Sequence, residues 1–171
     1  MEKSYVQVYT GSGKGKTTAA VGLAVRAAGA GLCVKFVQFM KGRETGEIPA
    51  LRKLGVECVR ASQSTKFFHQ MRGDEKRQMR EDVRTVLDNI NGWLCSADVL
   101  ILDEAMSAMA SGVLEQDEVL DIIERRGATE IVLTGRDVPD EILQQAHLVT
   151  QMKDVRHYYD AGVCARRGIE F

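Results

Sequence analysis

Tyr5-Val6-Gln7-Val8-Tyr9-Thr10-Gly11-Ser12-Gly13-Lys14-Gly15-Lys16-Thr17-Thr18 reads as an apolar β-type run that enters a glycine-rich turn and closes on Gly-Lys-Thr. The small-residue pattern Ala19, Ala20, Gly22, Leu23, Ala24, Ala27 and Ala28 follows it. Strand, glycine loop, Lys-Thr and helix in this order are the layout of a phosphate-binding P-loop. Glycines let successive backbone N–H groups point inward at an anion, where side chains would block the approach. The following helix adds its free N-terminal N–H groups and its dipole. Gly11, Ser12, Gly13, Lys14, Gly15, Lys16, Thr17 and Thr18 are therefore the expected nucleotide-binding residues, with Lys16 on the outer phosphates and the Thr17 hydroxyl on Mg²⁺. The usual pattern has a glycine five residues before Gly15, where this chain has Thr10. A dinucleotide-binding fingerprint fails, because its third glycine would fall on Lys16.

Working outward, Lys16 to about Ala28 is an expected helix stopped by Gly29 and Gly31. Leu32 to Phe39 reads as a second strand, and a strand–helix–strand order predicts a right-handed crossover and a parallel sheet. Met40 to Gly46 is a loop at the strand end where α/β proteins bind ligands. A short helix, Glu47 to Leu54, precedes a brief strand, Val56 to Arg60, and Ala61 to Gly73 has no clear period. Met79, Val83, Val86, Leu87, Ile90 and Leu94 make one apolar helical face, with Asp74 as the expected cap and Trp93 as packing. Its charged side, with Glu75, Lys76, Arg77, Arg80 and Glu81, is a solvated face.

Asp98-Val99-Leu100-Ile101-Leu102-Asp103-Glu104 is the second strong signal, an apolar strand ending in two carboxylates. Running beside the phosphate-loop strand, it would present Asp103 and Glu104 near Mg²⁺, an ion that favours hard oxygen ligands. Leu114 to Arg126 is an amphipathic helix, Glu130 to Thr134 a buried strand, and Pro139 opens a short helix. Leu148 to Met152 is the last expected strand, and a polar tail follows. The reading is an α/β chain, a three-layer P-loop NTPase fold of the RecA-like branch with a mostly parallel central sheet.

The 171 residues predict one domain spanning 1–171. A hydrophobic content of 44%, a charged content of 27% and a net charge of −1 are those of an ordinary globular protein. They argue against a general nucleic-acid binder or a polybasic membrane binder, and no apolar run reaches the ~20 residues of a membrane helix. Met1-Glu2-Lys3-Ser4 leads into the first strand, which predicts no signal peptide and a cytoplasmic setting. Cys33, Cys58, Cys95 and Cys164 are widely spaced, so buried free thiols are expected. His69, His147 and His157 show no metal-ligand spacing.

The residues alone stop at an Mg²⁺–nucleotide site and do not choose a reaction. With the rest of the chain they resemble the P-loop ATP:corrinoid adenosyltransferases, which act on cob(I)yrinic acid a,c-diamide or cob(I)alamin. The resemblance rests on Val8–Thr18, Val-Gln-Phe-Met-Lys-Gly at Val37–Gly42, and Leu-Asp-Glu at Leu102–Glu104. It extends to Leu-Thr-Gly-Arg at Leu133–Arg136, Val-Arg-His-Tyr-Tyr-Asp-Ala-Gly at Val155–Gly162, and the ending Ala165–Phe171. The missing first glycine of the loop is typical of that family.

The resemblance implies transfer of the adenosyl group of ATP to Co(I) of a corrinoid, with triphosphate as the leaving group, in adenosylcobalamin biosynthesis or salvage. It implies Lys16, Thr17, Glu104 and Arg136 as catalytic residues, and Thr17, Asp103 and Glu104 as the metal set. It implies an aromatic loop, here Phe67, Phe68 and His69, whose exposed phenyl rings wall the corrin; relatives read Phe-Thr-Trp there. A homodimer and a reductase or reduced flavin as electron donor are also implied. Some relatives carry an N-terminal helical extension over the site; this chain starts at the first strand, so closure is expected from elsewhere. A RecA-like ATPase or small-molecule kinase, and a nucleotide-gated corrinoid carrier, are the alternative readings.

Overall fold

The computed structural model describes residues 3–41, 45–62 and 68–171, with the side chain of His69 outside the description. Six strands, β1 (Val6–Thr10), β2 (Val34–Gln38), β3 (Glu57–Arg60), β4 (Val99–Asp103), β5 (Glu130–Thr134) and β6 (Leu148–Gln151), form one sheet in the order β3-β2-β4-β5-β1-β6. Every pairing is parallel. The expected parallel α/β architecture is present, and all of the sheet runs one way.

The helices are α1 (Lys16–Gly29), α2 (Glu47–Lys53), α3 (Gly73–Trp93), α4 (Ala105–Ala110), α5 (Gln116–Glu124) and α6 (Asp140–Gln145). Strand β4 shows why they form two layers. All five of its residues are buried. Val99 and Ile101 join Ala20, Ala24 and Ala27 of α1 and Ile48 and Leu51 of α2 in one core. Leu100 and Leu102 join the opposite core, with Met79, Val83, Val86 and Ile90 of α3 and Val119, Ile122 and Ile123 of α5. Alternate side chains of a strand point to opposite faces, so an unbroken apolar run is what a strand covered on both sides requires. The alanines of α1 let its backbone lie close across β1, β2, β4 and β5.

Several expectations are corrected. Strand β4 does not run beside β1; β5 lies between them. Helix α3 begins at Gly73 with Arg72 as its cap residue, because the Glu75 carboxylate accepts from the Arg72 N–H at 2.8 Å; Asp74 lies inside the first turn. Only Cys58 is a buried thiol, and burial pushes its pKa up to about 11. Cys33, Cys95 and Cys164 are exposed because each lies in a turn or tail rather than in an element. The acidic end of β4 continues into α4, a helix the sequence pattern did not separate from its surroundings. Trp93 packs at the margin of the α3 core as expected, with Lys35 Nζ 5.7 Å from its ring centroid. No described helix is long and apolar enough to cross a membrane.

Candidate nucleotide site

The phosphate loop, Gly11 to Gly15, joins β1 to α1 at the carboxyl end of the sheet, the edge where open parallel sheets bind ligands. Gly11 has φ 103°, and a Cβ there would lie 2.4 Å from the Met152 carbonyl oxygen. The loop is thus pressed against the end of β6, where the Gly13 N–H donates to Met152 O at 2.8 Å. Only glycine meets both demands, the backbone angle and the close approach. Gly15 is the cap residue of α1, and no side chain caps that helix and no acidic residue sits in its first turn. The first-turn N–H groups are therefore available to an anion.

Lys16 Nζ curls under the loop and donates to Gly11 O at 2.7 Å and Gly13 O at 2.9 Å. Burial, and after it the Arg136 charge, lowers its pKa, while Glu104 and Asp103 act in the opposite sense. Arg136 stands just past β5, exposed, and its Nη2 donates to Ser12 O at 3.3 Å. Before it, Gly135 has φ 149°, and a Cβ there would fall 2.5 Å from Met106 Cβ. That glycine lets α4 lie against the end of β5.

Thr17 reaches Asp103 although β5 separates β1 from β4, because α1 crosses β5 and β4. Thr17 Oγ1 donates to Asp103 Oδ1 at 2.8 Å, and Thr134 Oγ1 donates to the same oxygen at 2.7 Å. Asp103 is fully buried. Its Oδ2 receives Lys41 Nζ at 3.2 Å and Gln38 Nε2 at 3.4 Å. Glu104 has left-handed angles, φ 61° and ψ 26°, as the cap residue of α4. Its N–H donates to Thr134 Oγ1 at 2.9 Å, and its carboxylate accepts from Ser107 Oγ at 2.6 Å. A non-glycine residue in this region is uncommon, and Glu104 borders the cavity above the loop.

That cavity has a volume of about 750 Å³ and is bounded by the loop, Lys41, Glu104, Arg136 and the C-terminal tail. Arg136 also lines a second cavity of about 530 Å³ with Gly11 and Ser12. The tail reaches the loop through Lys14, whose Nζ donates to Tyr158 OH at 2.8 Å, Glu170 Oε1 at 2.8 Å and Ile169 O at 3.3 Å. Arg166 holds the same carboxylate with its backbone N–H at 2.7 Å and its guanidinium at 3.2 Å, and stacks over the Tyr158 ring at 4.9 Å. Arg166, then Lys14 and Tyr158, hold the Glu170 carboxyl well below the usual carboxylate range, and Glu170 in turn raises Lys14. The tail, expected as polar, contains a 3₁₀ turn at Tyr158–Ala161 and forms one wall of the site.

Of the residues expected in the site, the structure gathers Ser12 to Thr18, Glu104 and Arg136 around one cavity, with Asp103 bonded beneath Thr17. Phe68 is not among that cavity's lining. It begins a short 3₁₀ turn, Phe68–Gln70, and is half-buried against the α3 core with Lys76 Nζ 4.9 Å from its ring. The expectation of an exposed aromatic pair is corrected for Phe68, which is half-buried because a core margin is at hand for its ring. Phe67 and the His69 side chain lie outside the described residues. Sequence reasoning did not assign Lys41, Gln38, Glu47, Thr134 or the Lys14 partners. The signals for Lys41 were its place just after β2, at the ligand-binding end of the sheet, and its membership of the Val37–Gly42 stretch.

With the geometry in hand, comparison with known proteins gives a consistent result. The family model described as ATP:corrinoid adenosyltransferase BtuR/CobO/CobP matches residues 2–171. The corrinoid adenosyltransferase of Escherichia coli K12 is 36% identical over 174 residues, covering 99% of this chain and 87% of the relative. The corrinoid adenosyltransferase CobA of Salmonella typhimurium is 36% identical over 176 residues, covering 99% and 87%. The corrinoid adenosyltransferase of Pseudomonas aeruginosa is 33% identical over 180 residues, covering 99% and 85%. Among solved structures, the flagellar accessory protein FlaH of Methanocaldococcus jannaschii superposes with a TM-score of 0.52 at 14% identity, covering 86% of this chain and 70% of that one, a likeness of fold alone. By the match over nearly its whole length, this chain belongs to the ATP:corrinoid adenosyltransferase family.

Proposed function

We propose that this protein transfers the 5′-deoxyadenosyl group of ATP to the Co(I) centre of a corrinoid and releases triphosphate. The observation that carries the reading is the phosphate loop itself: an uncapped helix start, a buried lysine and an exposed arginine face one cavity. The cobalt electron pair forms the new Co–C bond to C5′ as the C5′–O bond breaks, and the departing triphosphate keeps that bond's electron pair. The nucleophile is the substrate's own metal, so the protein supplies no base. Its task is to hold C5′ in line and to stabilise charge on the leaving group. Loop N–H groups, Lys16 and Arg136 serve the second need. The tail wall held by Lys14 closes the loop side of the cavity.

Thr17 Oγ1, Asp103 and Glu104 are hard oxygen donors of the kind Mg²⁺ selects, and the Lys41 ammonium resting on Asp103 and Thr17 supports a cation site at those two. Mg²⁺ bound there would add positive charge to the triphosphate. Phe67 and Phe68 remain our proposed apolar contacts for the corrin, and His69 belongs to the same segment. We further propose one domain acting in the cytoplasm as a homodimer, supplied with electrons by a reductase or reduced flavin.

The reading is tested by incubating the full chain with ATP, Mg²⁺ and chemically reduced cobalamin under anaerobic conditions. A light-sensitive alkylcobalt spectrum that develops only with ATP present is the expected result. An unchanged cobalt spectrum accompanied by ADP would favour an ATPase or kinase instead.

A further inference from the structure

Lys41 Nζ lies among three oxygens from three elements: Asp103 Oδ2 of β4 at 3.2 Å, Thr17 Oγ1 of α1 at 3.3 Å and Glu47 Oε1 of α2 at 3.6 Å. The Asp103 carboxylate is fully buried, and its other oxygen is already taken by Thr17 and Thr134. A buried carboxylate is costly to leave without a counter-ion, and Lys41 supplies one. Yet the oxygens it touches include two of the three proposed for the divalent metal. An ammonium and a divalent cation cannot share them, because like charges at that separation repel strongly. Lys41 has another place to go. Its side chain is 29% exposed, it stands on a loop after β2, and it borders the phosphate-loop cavity. A lysine is a flexible point charge suited to two positions.

We propose that Lys41 is an exchangeable counter-ion, resting on Asp103 and Thr17 when metal and nucleotide are absent and moving to the triphosphate when a divalent cation takes those oxygens. The buried carboxylate is then neutralised in both states. The loop gains its extra positive charge only when the metal is in place, which couples triphosphate binding to metal binding. This inference rests on the nucleotide reading of the loop but not on the identity of the acceptor.

The test uses Mn²⁺ as the probe, titrated into the full chain without nucleotide and followed by the electron paramagnetic resonance of free Mn²⁺. Lys41→Met is expected to bind Mn²⁺ about tenfold more tightly than wild type, and Lys41→Arg to stay near wild type. A second arm measures inorganic tripolyphosphate by calorimetry at saturating Mn²⁺. There Lys41→Met is expected to bind about tenfold more weakly, with Lys41→Arg restoring most of the loss. Circular dichroism of each variant shows that it is folded, and the arginine variant carries the comparison should the methionine variant fail that check: Mn²⁺ affinity in Lys41→Arg far from wild type would then overturn the proposal, and affinity near wild type would support it. Mn²⁺ affinity in folded Lys41→Met that is equal to wild type, weaker, or undetectable in both would overturn the competition. Unchanged tripolyphosphate affinity would overturn the second position. Neither arm contains a corrinoid, so an inactive adenosyl-transfer assay would contradict the proposed reaction without touching this result.

Discussion

Lys16→Ala should lower adenosyl transfer by about 10² to 10³-fold, the loss that follows removal of one donor aimed at developing charge. Lys16 is buried and already held by Gly11 O and Gly13 O, so its ammonium is pre-positioned beside the loop rather than recruited from solvent. Its depressed pKa, caused first by desolvation, marks a charge poorly served by water and better served by an anion. The leaving group gains charge as the C5′–O bond breaks, so the loss should fall mainly on kcat. The fold should survive, because the hydrogen bonds of the ammonium among the described residues go to two loop carbonyls and none ties it to another element. Single-turnover kinetics of purified variant and wild type would check it; a rate within threefold of wild type would remove Lys16 from the site.

The second large effect is expected at Asp103. Asp103→Ala removes the shared acceptor of Thr17 and Thr134, the partner of Lys41 and a contact of Gln38 in one step. Leaving buried polar groups unpaired and breaking a buried ion pair costs about 3 kcal/mol or more. The urea midpoint should therefore fall with little change in slope, since the surface exposed on unfolding is nearly the same. Metal-dependent ATP binding should fall with it, because Thr17 loses the bond that orients its hydroxyl. Asp103→Asn keeps the shape and one acceptor, so it should recover part of the stability but not the metal dependence. Equal urea midpoints for wild type and Asp103→Ala would show that this hydrogen-bonded cluster does not hold the strand ends together.

These two residues were legible in the sequence for different reasons. The loop lysine is marked by local covalent spacing, because glycines, Lys16 and Thr17 must follow one another for the cradle to form. Asp103 is marked by a burial pattern, a long apolar run that ends abruptly in charge. What could not be read was anything set by strand order. That β5 separates β1 from β4 follows from how α1 crosses the sheet, and no spacing along the chain encodes it. Lys41 meets Asp103, and Glu47 meets Lys41, only after β2 pairs with β4, with Gln38 opposite Asp103 in register. The contact between Lys14 and Glu170 spans 156 residues and is likewise a product of folding.

Local rules also met local competition. Asp74 is a good cap residue by type, but Glu75 reaching back to the Arg72 N–H moves the start of α3 two residues earlier. Helix α4 is short, apolar and opened by a left-handed Glu104, so neither a polar cap nor an amphipathic period announces it. Phe68 takes the burial that an adjacent helix offers. The exposed thiols of Cys33, Cys95 and Cys164 show that a preference for burial yields when the residue falls in a turn.

The proposed reaction is defined by where ATP is cleaved. The direct measurement is phosphorus NMR of a completed anaerobic reaction containing the full chain, Mg²⁺, ATP and reduced corrinoid, with alkylcobalt counted from its absorbance. One tripolyphosphate for each alkylcobalt formed is the predicted result. ADP and orthophosphate in its place, with ATP consumed and no alkylcobalt, would contradict it.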